Sequence, residues 1–421
     1  MSRRKMTPLS IQKERVWTHI YGNVPFHDKK MRSLMNVCFS TLKEFVGKTS
    51  ALSDEFWQQY SLIRTLVKKN QLDMAQKESI SLREYVQDET IQSAAYFHHR
   101  FQVEVLQFEL AGTQERTASN NLAQIFDHSA NYFMIQTLRY ACIALSHTSV
   151  STKTYEVPLL QSVLNHVEEQ NSTIPPTIRL FYFTYLALAH QDIEAFSNMK
   201  QSLYGHRQRL PKEQLEELWI MAINFCIKRL NLGDRKFARE AYELYKEGFR
   251  DQILLKNGHI SRFNFKNVVS IGLILKEFEW VESFIQTYSN ALSPDYRESY
   301  HNFNLARLRF AQGNYSQAKR MLTVLEYDDV FFNLSSRMMR VKMHYEEKDW
   351  DSLDAILLNF SRYLQRKSVI GYHKQVYQNI IGIIQQLLAL PPNDTEAKEL
   401  LIRRIQETQP LAERDWLLQQ V

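Results

Sequence analysis

The sequence is poor in glycine and proline, the two residues that most often mark turns. Its 421 residues include 11 Gly and 10 Pro. Together these make up about 5% of the chain, against roughly 12% in average usage. Turn-rich β architectures and glycine-loop nucleotide folds need more of both residues, so these classes are excluded. Hydrophobic residues form 44% of the chain. This is enough to build a large core and excludes a chain that is disordered throughout.

Cysteine is also scarce. Cys38, Cys142 and Cys226 lie more than 80 residues apart, so they form neither a disulfide framework nor a C-x-x-C metal half-site. Each lies in an apolar stretch with helical spacing, which predicts three buried, unreactive thiols. The first residues lack the apolar core of a signal peptide, and the longest apolar runs cover about half a membrane span. We therefore expect a cytoplasmic protein without a membrane partner.

Apolar residues recur at intervals of three and four along nearly the whole chain, as at Leu34, Cys38, Leu42 and Phe45. This spacing predicts about twenty amphipathic helices and an all-α fold. Short polar breaks between the helices recur every 15 to 25 residues or so, roughly one helix length, which favours antiparallel hairpins joined by tight turns.

Internal repetition is the clearest signal in the sequence. Three segments end in an aromatic residue, at Trp280, Tyr315 and Trp350, in two equal steps of 35 residues. A large apolar residue precedes each aromatic by five positions, at Leu275, Phe310 and Tyr345. The register predicts equivalent packing positions at Ile271, Ala306 and Val341 in the first helices and at Thr287, Leu322 and Leu357 in the second helices.

The middle unit resembles a tetratricopeptide repeat. It contains Ala306, then Gly313 two residues before Tyr315, then Ala318 in the second helix. The tetratricopeptide family places a small residue, a turn glycine, an aromatic and an alanine at these offsets. The resemblance implies antiparallel helical hairpins stacked into a TPR-like α-solenoid. Looser echoes begin at residues 70, 191 and 233, and the whole chain resembles bacterial helical-repeat proteins, a resemblance that implies no activity.

These features divide the chain into four predicted segments. Residues 1–50 form a basic N-terminal helical segment or cap, and residues 51–264 form irregular helical hairpins, as degenerate repeats or as a plain bundle. Residues 265–392 contain the TPR-like repeats, and residues 393–421 form a C-terminal helical cap. Terminal units of repeat arrays are usually atypical, which is why the two ends are treated as caps.

Motifs for catalysis, cofactors or metals are incomplete in this sequence. Gly47-Lys48-Thr49 matches the tail of a phosphate loop, but Leu42 stands where the first glycine belongs. Glu298 and His301 form one E-x-x-H motif without the second copy that a di-iron bundle requires. His344-x-Glu346 lacks the cysteine pair of a zinc deaminase. We therefore predict no catalytic, cofactor-binding or metal-binding residues and a protein that is not an enzyme.

Basic and aromatic residues alternate on the first helices of the predicted repeats, where an array exposes its concave face. They predict a groove for a protein or peptide partner, with an acidic or carboxylate-bearing segment as the matching chemistry. The candidate contact residues are Phe303, Asn304, Arg307, Arg340, Lys342 and Tyr345. The leading hypothesis is therefore a non-catalytic protein–protein interaction scaffold that binds a partner segment on that face.

Two alternatives to the scaffold remain open. A nucleic-acid-associated protein is one, because residues 1–48 carry 10 basic and 3 acidic side chains and residues 200–266 carry 14 and 8. An enzyme with an unrecognised site is the other, and its sign would be a pocket that gathers several distant titratable groups.

Overall fold

A computed structural model describes residues 12–51, 54–90, 92–111, 121–148, 153–170, 173–323, 330–366, 371–391 and 394–421. Within these ranges the chain folds into twenty α-helices and no strand, which confirms the predicted all-α class. An isolated bridge joins Lys256 and His259. No helix in the described ranges is both long enough and apolar enough to cross a membrane.

The chain divides into two compact units, Met1–Leu218 and Trp219–Val421, with the boundary inside one helix. The helices of the first unit are α1 (Lys13–Tyr21), α2 (Asp28–Ala51), α3 (Glu55–Lys68), α4 (Leu72–Gln87), α5 (Ala94–Ala111), α6 (Leu122–Thr148), α7 (Leu160–Glu169), α8 (Pro176–His190) and α9 (Ile193–His206). Helix α10 (Lys212–Asn231) contains the boundary. The four segments predicted from the sequence are finer than this division and stay a prediction.

The second unit continues with ten further helices. They are α11 (Lys236–Arg250), α12 (Arg262–Ile274), α13 (Phe278–Tyr288), α14 (Pro294–Ala311), α15 (Tyr315–Thr323), α16 (Val330–Glu346), α17 (Trp350–Arg366), α18 (Gly371–Ala389), α19 (Thr395–Glu407) and α20 (Arg414–Gln419). Helix α14 packs against both α12 and α16, and α16 packs against α17.

Five of the helical hairpins share one type of turn, whose central residue adopts a left-handed conformation. These residues are Asn70, Gly233, Lys276, Gly313 and Lys348, with φ between 56° and 97°. In each turn, the amide of the left-handed residue donates to the carbonyl oxygen three residues earlier. The next amide donates to the carbonyl oxygen five residues before it. This Schellman arrangement satisfies carbonyl groups that the helix end leaves open, and it reverses the chain.

Buried side chains occur at the same three offsets around all five turns. Seven residues before the left-handed residue they are Ile63, Cys226, Val269, Ala306 and Val341. Five residues after it they are Ala75, Ala238, Val281, Ala318 and Leu353, and nine residues after it they are Ser79, Tyr242, Ile285, Leu322 and Leu357. Equivalent positions in the five hairpins therefore face the core.

The turns correct the register predicted around the first aromatic segment. The left-handed residues Lys276, Gly313 and Lys348 are separated by 37 and 35 residues, so the predicted equal steps of 35 are wrong for the first hairpin. Phe278, and not Trp280, begins the helix after its turn. Counting between aromatic residues failed because Trp280 lies two residues inside α13, whereas Tyr315 and Trp350 are the first residues of their helices.

One cysteine also differs from its prediction. Cys142 and Cys226 are buried, as expected, but Cys38 is exposed on α2. Its neighbours Phe39 and Leu42 are 58% and 56% exposed. The apolar spacing around Cys38 correctly predicts an amphipathic helix. It does not determine whether other helices pack against the apolar face of that helix and bury it.

The left-handed turns provide a stability test. Lys348→Gly should raise the free energy of unfolding by about 0.5 to 1 kcal/mol, because glycine adopts positive φ without a Cβ clash. Gly313→Ala should lower it by about 1 kcal/mol. Apart from the adjoining residues, no heavy atom lies within 4 Å of the position that a Cβ would take at Gly313, so this loss reflects the backbone alone. Chemical denaturation measures both changes, with Lys348→Ala as the control for losing the lysine side chain. Equal stability of Lys348→Gly and Lys348→Ala would contradict the turn assignment.

Candidate binding site

Three of the six predicted contact residues lie together in the second unit. Phe303 and Arg307 on α14 and Lys342 on α16 line a pocket of about 290 Å³. Helices α12 and α18 contribute further lining residues, including Leu273 and Tyr377. We call this the α14 pocket. Arg307 and Lys342, which are 35 residues apart in the sequence, lie on helices α14 and α16, which pack against each other.

Groups within the same unit hold the guanidinium of Arg307 in place. It donates to Asn304 Oδ1 at 3.1 Å and to Ser270 Oγ at 2.9 Å. Asn304 is fully buried, and its amide donates to the carbonyl oxygen of Tyr300 at 2.8 Å. Burial lowers the pKa of Arg307 to about 10, so the side chain stays charged at neutral pH. Arg307 therefore links α14 to α12, and Asn304 supports it from the core.

Lys342 and Tyr345 contact residues at the start of α20 and just before it. Lys342 forms an ion pair with Glu413, and its Nζ lies 5.1 Å from the centroid of the Trp416 ring. Tyr345 packs edge-on against Trp350 and Trp416, at centroid distances of 5.4 and 5.5 Å. Burial also raises the pKa of the Tyr345 phenol. Internal partners therefore engage Lys342 and Tyr345.

Arg340 lies in a different pocket from Lys342. Residues two positions apart on a helix point in different directions, so the two side chains leave α16 on separate faces. The pocket that Arg340 lines has a volume of about 470 Å³ and lies between α16 and α17. Its lining consists of Arg337, Arg340, Ile356, Asn359, Arg362, Tyr363 and Arg366. We call it the arginine pocket.

The arginine pocket concentrates positive charge. Its described lining contains four arginines and no carboxylate. The guanidinium of Arg337 lies 4.2 Å from the centroid of the Tyr363 ring, a cation–π contact that helps to orient it. Arg340 is half-buried, whereas Arg362 and Arg366 are exposed. Because a guanidinium can donate two parallel hydrogen bonds to a carboxylate or phosphate, this pocket is suited to a ligand with several negative charges.

Arg340 is among the contact residues predicted from the sequence, whereas Arg362 and Arg366 are not. Arg337 and Arg340 are three residues apart on α16, and Arg362 and Arg366 are four apart on α17. Both spacings place a pair on one helix face, so this signal was present in the sequence. The approach of these two faces is a tertiary property that periodicity does not encode.

Carboxylates neutralise part of the basic band at residues 200–266. Arg229 pairs with Asp234 at 3.0 Å, Arg239 with Glu277 at 2.8 Å, and Arg250 with Asp251 at 2.9 Å. Glu277 lies outside the band, so the count of basic residues within 200–266 overstates its surface charge. The arginine pocket, whose described lining has four arginines and no carboxylate, lies outside this band.

The isolated metal-type motifs have partners within the protein. His301 Nδ1 lies 3.0 Å from Ser289 Oγ, and His344 Nδ1 lies 2.9 Å from Asp349 Oδ2. Across the described ranges, no three or more His, Cys, Asp or Glu residues form a group that could hold a metal ion.

The contacts of Arg307 predict a structural role. Arg307→Ala should lower the free energy of unfolding by about 1.5 to 3 kcal/mol, because it removes charge-assisted hydrogen bonds and leaves Asn304 Oδ1 without its donor. Arg340→Ala, at a half-buried position without such bonds, is the matched control and should change stability by less than about 0.5 kcal/mol. Thermal and denaturant unfolding measure both variants. Equal stability of the two would show that Arg307 is not a link between α12 and α14.

No protein-family model matches this chain, and no curated protein or solved structure matches it either. The ligand of the site must therefore be inferred from its own chemistry. In the arginine pocket that chemistry is four guanidinium groups beside one aromatic ring, one amide and one aliphatic side chain.

Proposed function

We propose that this protein is a non-catalytic interaction protein that binds an acidic segment of a partner protein in the arginine pocket. One observation supports this proposal. Four arginines from α16 and α17 line the same pocket, and its described lining has no carboxylate. Like charges held close together repel one another unless opposite charges join them. A ligand with several carboxylates supplies those charges and the acceptors for bidentate hydrogen bonds.

The remaining lining favours a peptide over a small inorganic anion. Ile356 and Tyr363 provide apolar surface beside the guanidinium groups, and Asn359 provides an amide that can donate and accept. A peptide with acidic side chains next to an apolar one uses all three types of group. The pocket then supplies charge complementarity for specificity and a small apolar contact for affinity.

We further propose that residues 265–392 form a TPR-like α-solenoid. Helices α12, α14 and α16 pack in succession, and each packs against the second helix of its own hairpin. The shared turns and the shared buried offsets support this arrangement, as does the small residue Ala306 seven positions before Gly313. Stacked hairpins of this kind create extended surfaces for partner binding. A cytoplasmic location fits the exposed thiol of Cys38.

The proposal predicts charge-dependent peptide binding. A labelled peptide rich in Asp, Glu and Leu should bind the full chain, and the same peptide with Asn and Gln should bind at least about tenfold more weakly. Arg340→Glu with Arg362→Glu should also weaken binding of the acidic peptide at least about tenfold, because it replaces two donors by repelling carboxylates. Fluorescence anisotropy measures each affinity.

Arg320→Glu with Arg403→Glu is the matched control, with the same change in net charge. These two arginines are exposed on α15 and α19 and do not line the arginine pocket. The control variant should bind the acidic peptide within about twofold of the wild type. Equal binding by all three proteins would contradict the proposed site. Preferential binding of a single-stranded oligonucleotide at the same salt concentration would instead favour the nucleic-acid alternative.

A further inference from the structure

Helix α2 exposes an unusual number of large apolar side chains. Met35, Val37, Phe39, Leu42, Phe45 and Val46 are between 45% and 65% exposed, whereas Met31 is buried at the start of the helix. Single exposed apolar residues are ordinary on protein surfaces, but a contiguous patch marks an interaction site. Ile20 and Val24, which are 51% and 53% exposed, add apolar surface just before α2.

Most of these apolar residues share one face of α2. Successive residues of a helix are 100° apart around its axis. On this basis most apolar side chains of α2 occupy a sector of about 140°, with Leu34 at one edge and Phe39 at the other. The residues in this sector are Met31, Leu34, Met35, Cys38, Phe39, Leu42, Phe45 and Val46. Val37 lies outside it. The sector is wider than the narrow seam of a two-stranded coiled coil, which uses two positions in seven.

Basic side chains lie along both edges of this apolar face. Arg32 and Lys43 follow Phe39 around the helix, and Lys30 and Lys48 flank the opposite edge. The Nζ of Lys43 lies 4.4 Å from the centroid of the Phe39 ring. In total α2 carries five basic and two acidic side chains. Both acids have basic partners within the protein, since Asp28 pairs with Arg32 and Glu44 pairs with Lys48.

We propose that the apolar face of α2 binds the surface of an anionic lipid bilayer. In this arrangement the helix lies in the plane of the interface, with its aromatic and aliphatic side chains among the acyl chains. Lysine and arginine at the two edges keep their charges at the level of the headgroups, where anionic lipids attract them. The expectation of no membrane partner rests on the lack of a signal-peptide core and of a spanning segment, and an interfacial helix has a different sequence signature.

Charge argues against a second copy of α2 as the occupant. Two such helices, packed face to face in either direction, would place basic edges opposite basic edges. An anionic bilayer instead complements both edges at once. The inference depends on α2 alone and is independent of the arginine pocket, which lies on α16 and α17.

Cys38 allows a direct test of which face enters the bilayer. It is exposed on the apolar face, whereas Cys142 and Cys226 are buried, so a thiol-reactive environment-sensitive fluorophore should label Cys38 selectively in the folded full chain. Vesicles of phosphatidylcholine mixed with phosphatidylserine should shift the emission to the blue and raise its intensity. Vesicles of phosphatidylcholine alone should bind at least about tenfold more weakly, because they lack the anionic attraction. Co-sedimentation of the unlabelled chain measures the same affinities.

Leu42→Asp with Phe45→Asp should reduce binding to the mixed vesicles at least about tenfold, because it places two charges in the apolar face. The matched control is Phe126→Asp with Leu232→Asp, two side chains outside α2 that are each 67% exposed. The control should bind like the wild type. Circular dichroism and melting of both variants establish that they fold.

Three outcomes would overturn the proposal. The first is that the wild type binds neither type of vesicle. The second is that the folded Leu42→Asp/Phe45→Asp variant binds the mixed vesicles as well as the wild type does. The third is a concentration-dependent dimer that this variant abolishes, without vesicle binding, which would assign the face to a second copy of the chain.

Discussion

The second unit depends on one recurring constraint, the closure of a helical hairpin by a residue in the left-handed conformation. At Gly313 the following amide reaches back to the carbonyl of Arg309, which ends α14 and directs the chain into α15. Because the geometry of this turn is fixed, the positions seven before and five and nine after it face the core together. Ala306, Ala318 and Leu322 therefore occupy related places, and local chemistry determines which faces of the two helices stay outside.

This orientation of the helix faces explains how α16 serves two pockets. Leu334, Met338 and Val341 form one buried stripe along α16, and Arg340 and Lys342 leave the helix on opposite sides of that stripe. Lys342 reaches the α14 pocket, where Glu413 neutralises it, whereas Arg340 reaches the arginine pocket. Neighbouring cations on one helix thus have different roles, one within the fold and one available to a ligand. The distinction depends on which neighbouring helix each side chain faces.

Helix α2 shows the opposite relation between pattern and packing. Its apolar residues recur at intervals of three and four, as they do in the core helices, yet Phe39 and Phe45 are more than half exposed. In α17, which has a similar pattern, Leu353, Leu357 and Phe360 are buried by neighbouring helices. An amphipathic helix needs an apolar surface to cover it, and for α17 the fold supplies that surface. For α2 the basic edges indicate that an anionic interface outside the described fold supplies it.

The sequence by itself determined the all-α class, the hairpin turns at Asn70, Gly233 and Gly313, and the burial of Ala306 and Ala318. These features follow from local spacing and turn chemistry, which act within a few residues. Tertiary structure decided the register of the first hairpin, in which Phe278 and not Trp280 begins the second helix, and it decided that Asn304 and Arg307 bond inside the unit. It also brought Arg362 and Arg366 to Arg337 and Arg340. Contacts of this kind depend on packing between helices. The periodicity within a single helix does not specify which neighbouring helix a given face will contact.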